Sequence, residues 1–229
     1  MVAIQNVSFQ FKHNKILENA NYSFEKGKVY FLIARNGAGK STIFKLINGD
    51  MKVLEGEVFL QGSISFHKQN PIYFEDMKVK ENLETFMECF NSNKNYKEII
   101  GLYNLESIEK KVVRKLSGGE KQKLYLAITG LVDDDILLFD EADSALDPIY
   151  REFYYTNILK REAEKGKIVI AISHHLNEVV NYADEICFLK NYKLYKIKPN
   201  QLADNFRDLN EDKMLKNLEE ICDHEKISY

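Results

Sequence analysis

The chain has 229 residues and a formal net charge of −3, so no global basic field recruits nucleic acid. No apolar run approaches the roughly 18 residues needed to cross a bilayer, and the first residues lack the charged and apolar regions of a signal peptide. The three cysteines, Cys89, Cys187 and Cys222, have no metal-ligand spacing and suit free thiols in a reducing compartment.

Residues 2–33 read as short strands. Val2, Ile4 and Val7 to Phe11 alternate or cluster apolar side chains, His13-Asn14-Lys15 is a turn, and apolar character resumes at Ile16-Leu17 and Tyr22 to Phe24. The strand Val29 to Ile33 leads into Ala34-Arg35-Asn36-Gly37-Ala38-Gly39-Lys40-Ser41-Thr42, followed by a helical spacing of Ile43, Phe44, Leu46 and Ile47. Gly56 and Gly62 punctuate strands around Val58-Phe59-Leu60 and Ile64-Ser65-Phe66. From Val79 to about Val113 the pattern is helical, with Leu83, Phe86, Met87 and Phe90 on one face and a polar break at 91–95. Helix and strand then alternate: helix Gly119 to Leu131, strand Ile136 to Phe139, helix Ile149 to Glu164, strand Ile168 to Ile172, helix from Asn177, strand Ile186 to Leu189, and a hairpin at Leu194 to Ile197. The tail from Pro199 reads as one or two amphipathic helices packed on the core. Three prolines and the lack of a repeat or long linker predict one compact domain.

Strand, glycine loop and helix form the context of a phosphate-binding loop. The glycines let backbone N–H groups converge on an anion at a helix N-terminus, with Lys40 reaching the β- and γ-phosphates and the Ser41 hydroxyl ligating Mg²⁺. Ala34 stands where the pattern has its first glycine. The apolar run Ile136 to Phe139 ends in Asp140-Glu141, which is how phosphate-loop enzymes place one carboxylate on the Mg²⁺ shell and a second where it can orient a water. Leu116-Ser117-Gly118-Gly119-Glu120 offers a hydroxyl and open N–H groups at another helix start, a second anion site. One subunit rarely needs two such cradles, so the pair hints that the second serves a neighbour's nucleotide.

With these stretches in view the sequence resembles, over nearly its whole length, the nucleotide-binding domain of the ATP-binding-cassette (ABC) family. Leu116 to Glu120 matches the family signature without a mismatch, and Gln122 stands where the family has its glutamine. The resemblance implies an α/β fold: a P-loop NTPase (RecA-like) core with an N-terminal antiparallel β subdomain, about 1–69 and 117–198, a helical insertion at about 70–116, and a C-terminal helical tail at about 199–229. It implies that ATP is held by Phe11, Asn36, Gly37, Ala38, Gly39, Lys40, Ser41, Thr42 and Gln69, with Ser117, Gly118 and Gly119 closing on the nucleotide of a second subunit. In this reading Phe11 stacks on adenine, Ser41, Gln69 and Asp140 hold Mg²⁺, and Glu141 and His174 carry out hydrolysis. Ser144-Ala145-Leu146-Asp147 matches the loop that crosses the dimer interface. Two further departures stand out. Ala142-Asp143 replaces the usual Pro-Thr, adding negative charge near the nucleotide, and His175 sits where an acid is common, leaving open which histidine acts.

The expected function is the ATPase subunit of a transporter, acting as a homodimer or paired with a second ABC ATPase. Its partner would be a transmembrane permease, which places it in the cytoplasm, peripheral on the inner face of the cell membrane. The compact insertion and the absence of a long C-terminal regulatory domain lean toward an exporter. The alternative is a soluble ABC ATPase such as an iron–sulfur cluster assembly ATPase, separated by whether membrane subunits or soluble scaffolds copurify. Asp140-Glu141-Ala142-Asp143 also spells the box of an RNA helicase family, but the signature is foreign to that family and the chain has no room for its second core domain.

Overall fold

The order of the strands decides where the loops that carry chemistry converge. In the computed structural model, which describes residues 1–12, 14–68, 72–202 and 206–224, nine strands divide between two sheets. The larger sheet runs β5 (Ile64–His67), β6 (Ile136–Asp140), β7 (Ile168–Ile172), β3 (Lys28–Ile33), β8 (Glu185–Lys190) and β9 (Lys193–Ile197). Its first five strands are parallel, and β9 returns antiparallel to β8. Every residue of β6 and β7 is buried, as a parallel sheet covered on both faces requires, and this is why these strands read as unbroken apolar runs.

Side chains alternate between the two faces, so each strand feeds two cores. Val29, Phe31 and Ile33 of β3 join the helical layer, whereas Tyr30 and Leu32 join a second core under the smaller sheet. That smaller, antiparallel sheet has the order β2 (Asn14–Phe24), β1 (Val2–Phe11), β4 (Glu55–Leu60). Register shifts interrupt β1 against both partners, and Asn6 and Asn19 take positive φ beside them. Asparagine tolerates the left-handed backbone that such bulges demand.

Helix α1 (Lys40–Ile47) follows β3 directly, and its Ile43, Phe44, Leu46 and Ile47 fill the second core. Between β5 and β6 the chain forms α2 (Val79–Cys89), α3 (Tyr96–Leu102) and α4 (Gly118–Thr129). After β6 the chain forms α5 (Pro148–Phe153), a π-helical stretch (Tyr154–Lys160) and α6 (Arg161–Glu164), and α7 (Leu176–Tyr182) follows β7. The tail helix α8 (Glu211–His224) buries Met214, Leu215, Leu218 and Cys222 against the helical core. Among the described residues no helix is long and apolar enough to cross a membrane.

Two expectations are corrected. The helical pattern from Val79 to Val113 ends with α3, and residues 103–112 form turns instead. Leu105, Ile108 and Val113 are buried there because the chain doubles back: the Val79 and Lys80 N–H groups donate to Lys111 and Glu109, and Val113 donates to Met77. The first half of the tail likewise makes short 3₁₀ turns at Pro199–Gln201 and Phe206–Asp208, so only the second half is an α-helix.

Candidate functional site

Between β3 and α1 the backbone turns through Gly37 at φ 76° and Gly39 at φ 110°, conformations that side-chain-bearing residues resist. At Gly39 a Cβ would also stand 2.5 Å from the Ile16 methyl, so only glycine fits this last step before the helix. Ala34 is absent from the positive-φ residues; its methyl packs in the second core, and its carbonyl accepts a hydrogen bond from Lys40 Nζ at 3.2 Å. The alanine is therefore compatible with the loop. Lys40 is nine-tenths buried, and burial pulls its ammonium below the ordinary lysine pKa against the opposing attraction of Glu141 and Asp140. A cleft of about 460 Å³ opens here, lined by Asn36, Gly37, Gly39, Lys40, Ser41, Thr42, Glu141 and His174. Ala38 is turned toward the second core, and its N–H closes a turn onto the Arg35 carbonyl at 3.1 Å. The Arg35 guanidinium reaches Glu219 of α8 with two bonds, 2.7 and 3.1 Å, joining the tail helix to the loop.

The last residue of β6, Asp140, is 5% exposed. Burial raises its pKa, opposed by a hydrogen bond from Ser41 and the charge of Lys40, and its Oδ1 is buried without a partner. An orphaned carboxylate oxygen beside a hydroxyl is a hard-oxygen pair that suits Mg²⁺. Gln69, the third expected ligand, lies outside the described residues. Glu141 takes φ 53°, a left-handed conformation held by its N–H bond to the Ile172 carbonyl of β7 at 3.1 Å. Its Oε1 lies 2.8 Å from His174 Nε2. His175 is claimed elsewhere: Arg151 Nη1 lies 2.8 Å from its Nε2 while Arg151 Nε holds Glu178. Of the two histidines, His174 is the one in the cleft.

The other expected cradle stands apart. Ser117 caps α4, accepting from Glu120 N–H while Glu120 Oε2 takes the Ser117 N–H, so the turn is rigid before any ligand arrives. Gly119 is pressed against the loop after β6, since a Cβ there would lie 3.1 Å from the Ala145 carbonyl. Ser117, Gly118 and Gly119 do not line the cleft of their own chain, and neither does Phe11, which is 44% exposed and edge-on to Phe9 at 5.1 Å.

Sequence reasoning missed what binds these parts together. Gln122 of α4 donates from Nε2 to the Ala142 carbonyl at 2.8 Å and lies 3.1 Å from Nε2 of His67, a fully buried histidine of β5. The His67 Nδ1 faces Thr129 Oγ1, which donates onward to Tyr125 O, so Nδ1 carries the proton. Burial pushes the His67 pKa down to about 3, which keeps the ring neutral. A lone histidine within a strand carries no signal that would have found this link. Asp143 is also corrected: it does not line the cleft but turns inward, 1% exposed, and takes hydroxyl donors from Tyr155 and Ser173.

Comparison with known proteins places this geometry. The sequence profile described as ABC transporter matches residues 17–144. The chain is similar to the energy-coupling factor transporter ATP-binding protein EcfA1 of Fusobacterium nucleatum, 32% identical over 217 residues, covering 83% of this chain and 79% of that protein. It is also similar to the lantibiotic transport ATP-binding protein SrtF of Streptococcus pyogenes, 29% identical over 225 residues and covering 94% and 98% of the two chains. Among solved structures, the ATP-binding subunit of an ABC transporter superposes with a TM-score of 0.77 at 21% identity, covering 97% of this chain and 98% of the other. A dimeric ATP-binding cassette in a post-hydrolysis state, bound to ADP and Pi, gives 0.74 at 23% identity over 87% and 99%. These two likenesses bear on the fold.

Proposed function

Because the chain belongs to the ABC transporter family and is an ATP-binding ATPase of it, we propose that it powers a separate transmembrane permease by closing and reopening a dimer around ATP. The observation that carries this reading is the division of the site. Lys40, Glu141 and His174 share one cleft, while the Ser117 turn is preformed outside it and needs a second copy, or a second ABC subunit, to meet a nucleotide. The names of the relatives, which concern energy-coupling factor and lantibiotic transport, support a transporter over a soluble ABC ATPase. This role puts the chain on the cytoplasmic side, peripheral to the membrane through its permease. It goes with a single domain whose insertion spans about 70–116 and whose tail begins at about 199.

In the mechanism, the N–H groups of residues 36–42 and the start of α1 bind the phosphates, and Lys40 exchanges the Ala34 carbonyl for the β- and γ-phosphate oxygens. Ser41 and Asp140, with Gln69, would hold Mg²⁺, which supplies charge neutralisation on the phosphates. Glu141 orients the attacking water and accepts its proton, and the His174 imidazole keeps Glu141 in place and contacts the γ-phosphate. Phe11 offers an exposed ring to the adenine.

The test is Glu141→Gln, whose amide cannot accept that proton. ATP affinity is expected to stay within a few-fold, while phosphate release falls at least about 100-fold and light scattering detects an ATP-dependent dimer. Near-wild-type phosphate release in this variant would overturn the assignment.

A further inference from the structure

The buried carboxylate of Asp143 lies outside the nucleotide cleft. Asp143 is 1% exposed; its Oδ2 accepts the hydroxyls of both Ser173 and Tyr155, and its Oδ1 is buried with no partner. Enclosing a carboxylate is unfavourable, and threonine or an apolar residue would fill a turn more cheaply. The three side chains come from three places: the turn after β6, the end of β7, and the π-helical stretch. Ser173 stands between Ile172, whose carbonyl takes the Glu141 N–H, and His174, whose ring meets the Glu141 carboxylate. Its hydroxyl also accepts the His175 N–H at 3.0 Å, so one oxygen fixes both flanks of His174.

The backbone needs such a fixture. Glu141 holds φ 53° in a turn closed by the Ser144 N–H bond to its carbonyl at 3.2 Å. A left-handed glutamate persists only where its surroundings over-determine it. The π-helical widening brings Tyr155 inward to do this: its ring stacks on Tyr182 at 4.7 Å and meets Phe31 edge-on at 6.0 Å, leaving the phenol to reach Asp143.

The geometry points to Asp143 as a positioning residue of ATP hydrolysis: through Ser173 and Tyr155 it sets the offset between the turn that carries Glu141 and the loop that carries His174. This rests on the reading of Glu141 and His174 given above. Tyr155→Phe deletes one hydroxyl from a ring that packing already holds. It is expected to lower kcat about 10-fold, because small displacements of a reacting group are costly, with KM for ATP within twofold and an unchanged melting temperature. Asp143→Asn keeps one carbonyl acceptor for two hydroxyls and is expected to act in the same direction. The decisive measurement repeats Tyr155→Phe in a His174→Ala background, where no further loss of kcat is expected, since the offset no longer serves anything. An unchanged kcat in both single variants, an equal fractional loss in the His174→Ala background, or a loss matched by rising KM or by unfolding overturns the inference. Glu141→Gln in the same assays separates the two readings. If it keeps activity, the site itself is misassigned; if it is inactive while Tyr155→Phe is unaffected, only the positioning role falls.

Discussion

The methyl of Ala34 shows how little the phosphate loop asks of its first position. With φ negative there, alanine is unstrained, and the demanding conformations sit at Gly37 and Gly39. Ala34→Gly is therefore expected to leave ATP affinity within a few-fold and to cost about 0.5–1 kcal/mol of stability through the freer unfolded chain. Nucleotide titration and thermal melting check both, and a tenfold loss of affinity would show that the methyl orders the loop. The two histidines give the complementary lesson. His174 and His175 follow the same strand, so no spacing rule chooses between them; Arg151, donated by a different helix, removes His175 from contention. His174→Ala is expected to lower kcat by at least about 10-fold, whereas His175→Ala acts mainly on stability by leaving Arg151 with Glu178 alone. The residues that line the cleft were legible because a glycine loop between strand and helix and a buried strand ending in carboxylates follow fixed sequence patterns. Their second partners were not, because His67, Arg151 and Tyr155 arrive from segments distant in sequence.

At the scale of elements, the polar run at 91–95 reads in the sequence as a mere interruption, yet it serves two helices. Asn95 caps α3 by accepting the Lys97 N–H at 2.9 Å. Lys94 Nζ donates to the Gly130 and Val132 carbonyls at 2.6 and 3.3 Å, and Ser92 Oγ donates to Leu131 O at 2.7 Å. These carbonyls leave the C-terminal end of α4, where a cation also meets the negative end of the helix dipole. Lys94→Met preserves the apolar stem and is expected to cost about 1–2 kcal/mol, read by denaturant unfolding, with ATPase turnover unchanged. A variant as stable as the parent would show that water replaces the ammonium without loss. Alternating or unbroken apolar runs made the strands legible, and helical spacing made α1, α2 and α4 legible, because burial on one face or on both imposes those patterns. Residues 103–112 escaped because turns can bury Leu105 and Ile108 as well as a helix does. The π-helical stretch escaped because its residue types, Tyr154-Tyr155-Thr156-Asn157-Ile158, are as compatible with an ordinary helix.

At the scale of the whole molecule, the proposed coupling to a permease needs an apolar surface set apart from the nucleotide cleft, and the chain between β5 and α3 carries one. Ile72, Phe74 and Phe90 are 63%, 48% and 43% exposed. The rings of Phe74 and Phe90 both lean on Phe86 of the helical core, with centroids 5.6 and 5.7 Å apart. Asn82, fully buried at the foot of α2, grips the Phe74 backbone through N–H and carbonyl at 2.7 and 2.9 Å and holds the patch in a fixed pose. Two ion pairs, Arg114 with Asp76 and the half-buried Lys121 with Glu75, supply a polar rim. An apolar centre inside such a rim is the anatomy of a contact surface. Pro71-Ile72-Tyr73-Phe74 is an unbroken apolar run in the sequence; Pro71 lies outside the described residues, and Tyr73 leans on the helical core with Lys121 over its ring at 5.8 Å. The informative change is therefore Ile72→Ser with Phe74→Ser, which leaves Tyr73 in place. Co-expressed with its membrane protein, this variant is expected to sediment with membranes several-fold less than the parent, since hot-spot apolar contacts dominate such interfaces. ATP affinity should match the parent, because neither side chain lines the cleft. Undiminished sedimentation would move the docking surface elsewhere on the molecule, and a loss that tracks a falling melting temperature would return both residues to a purely structural role.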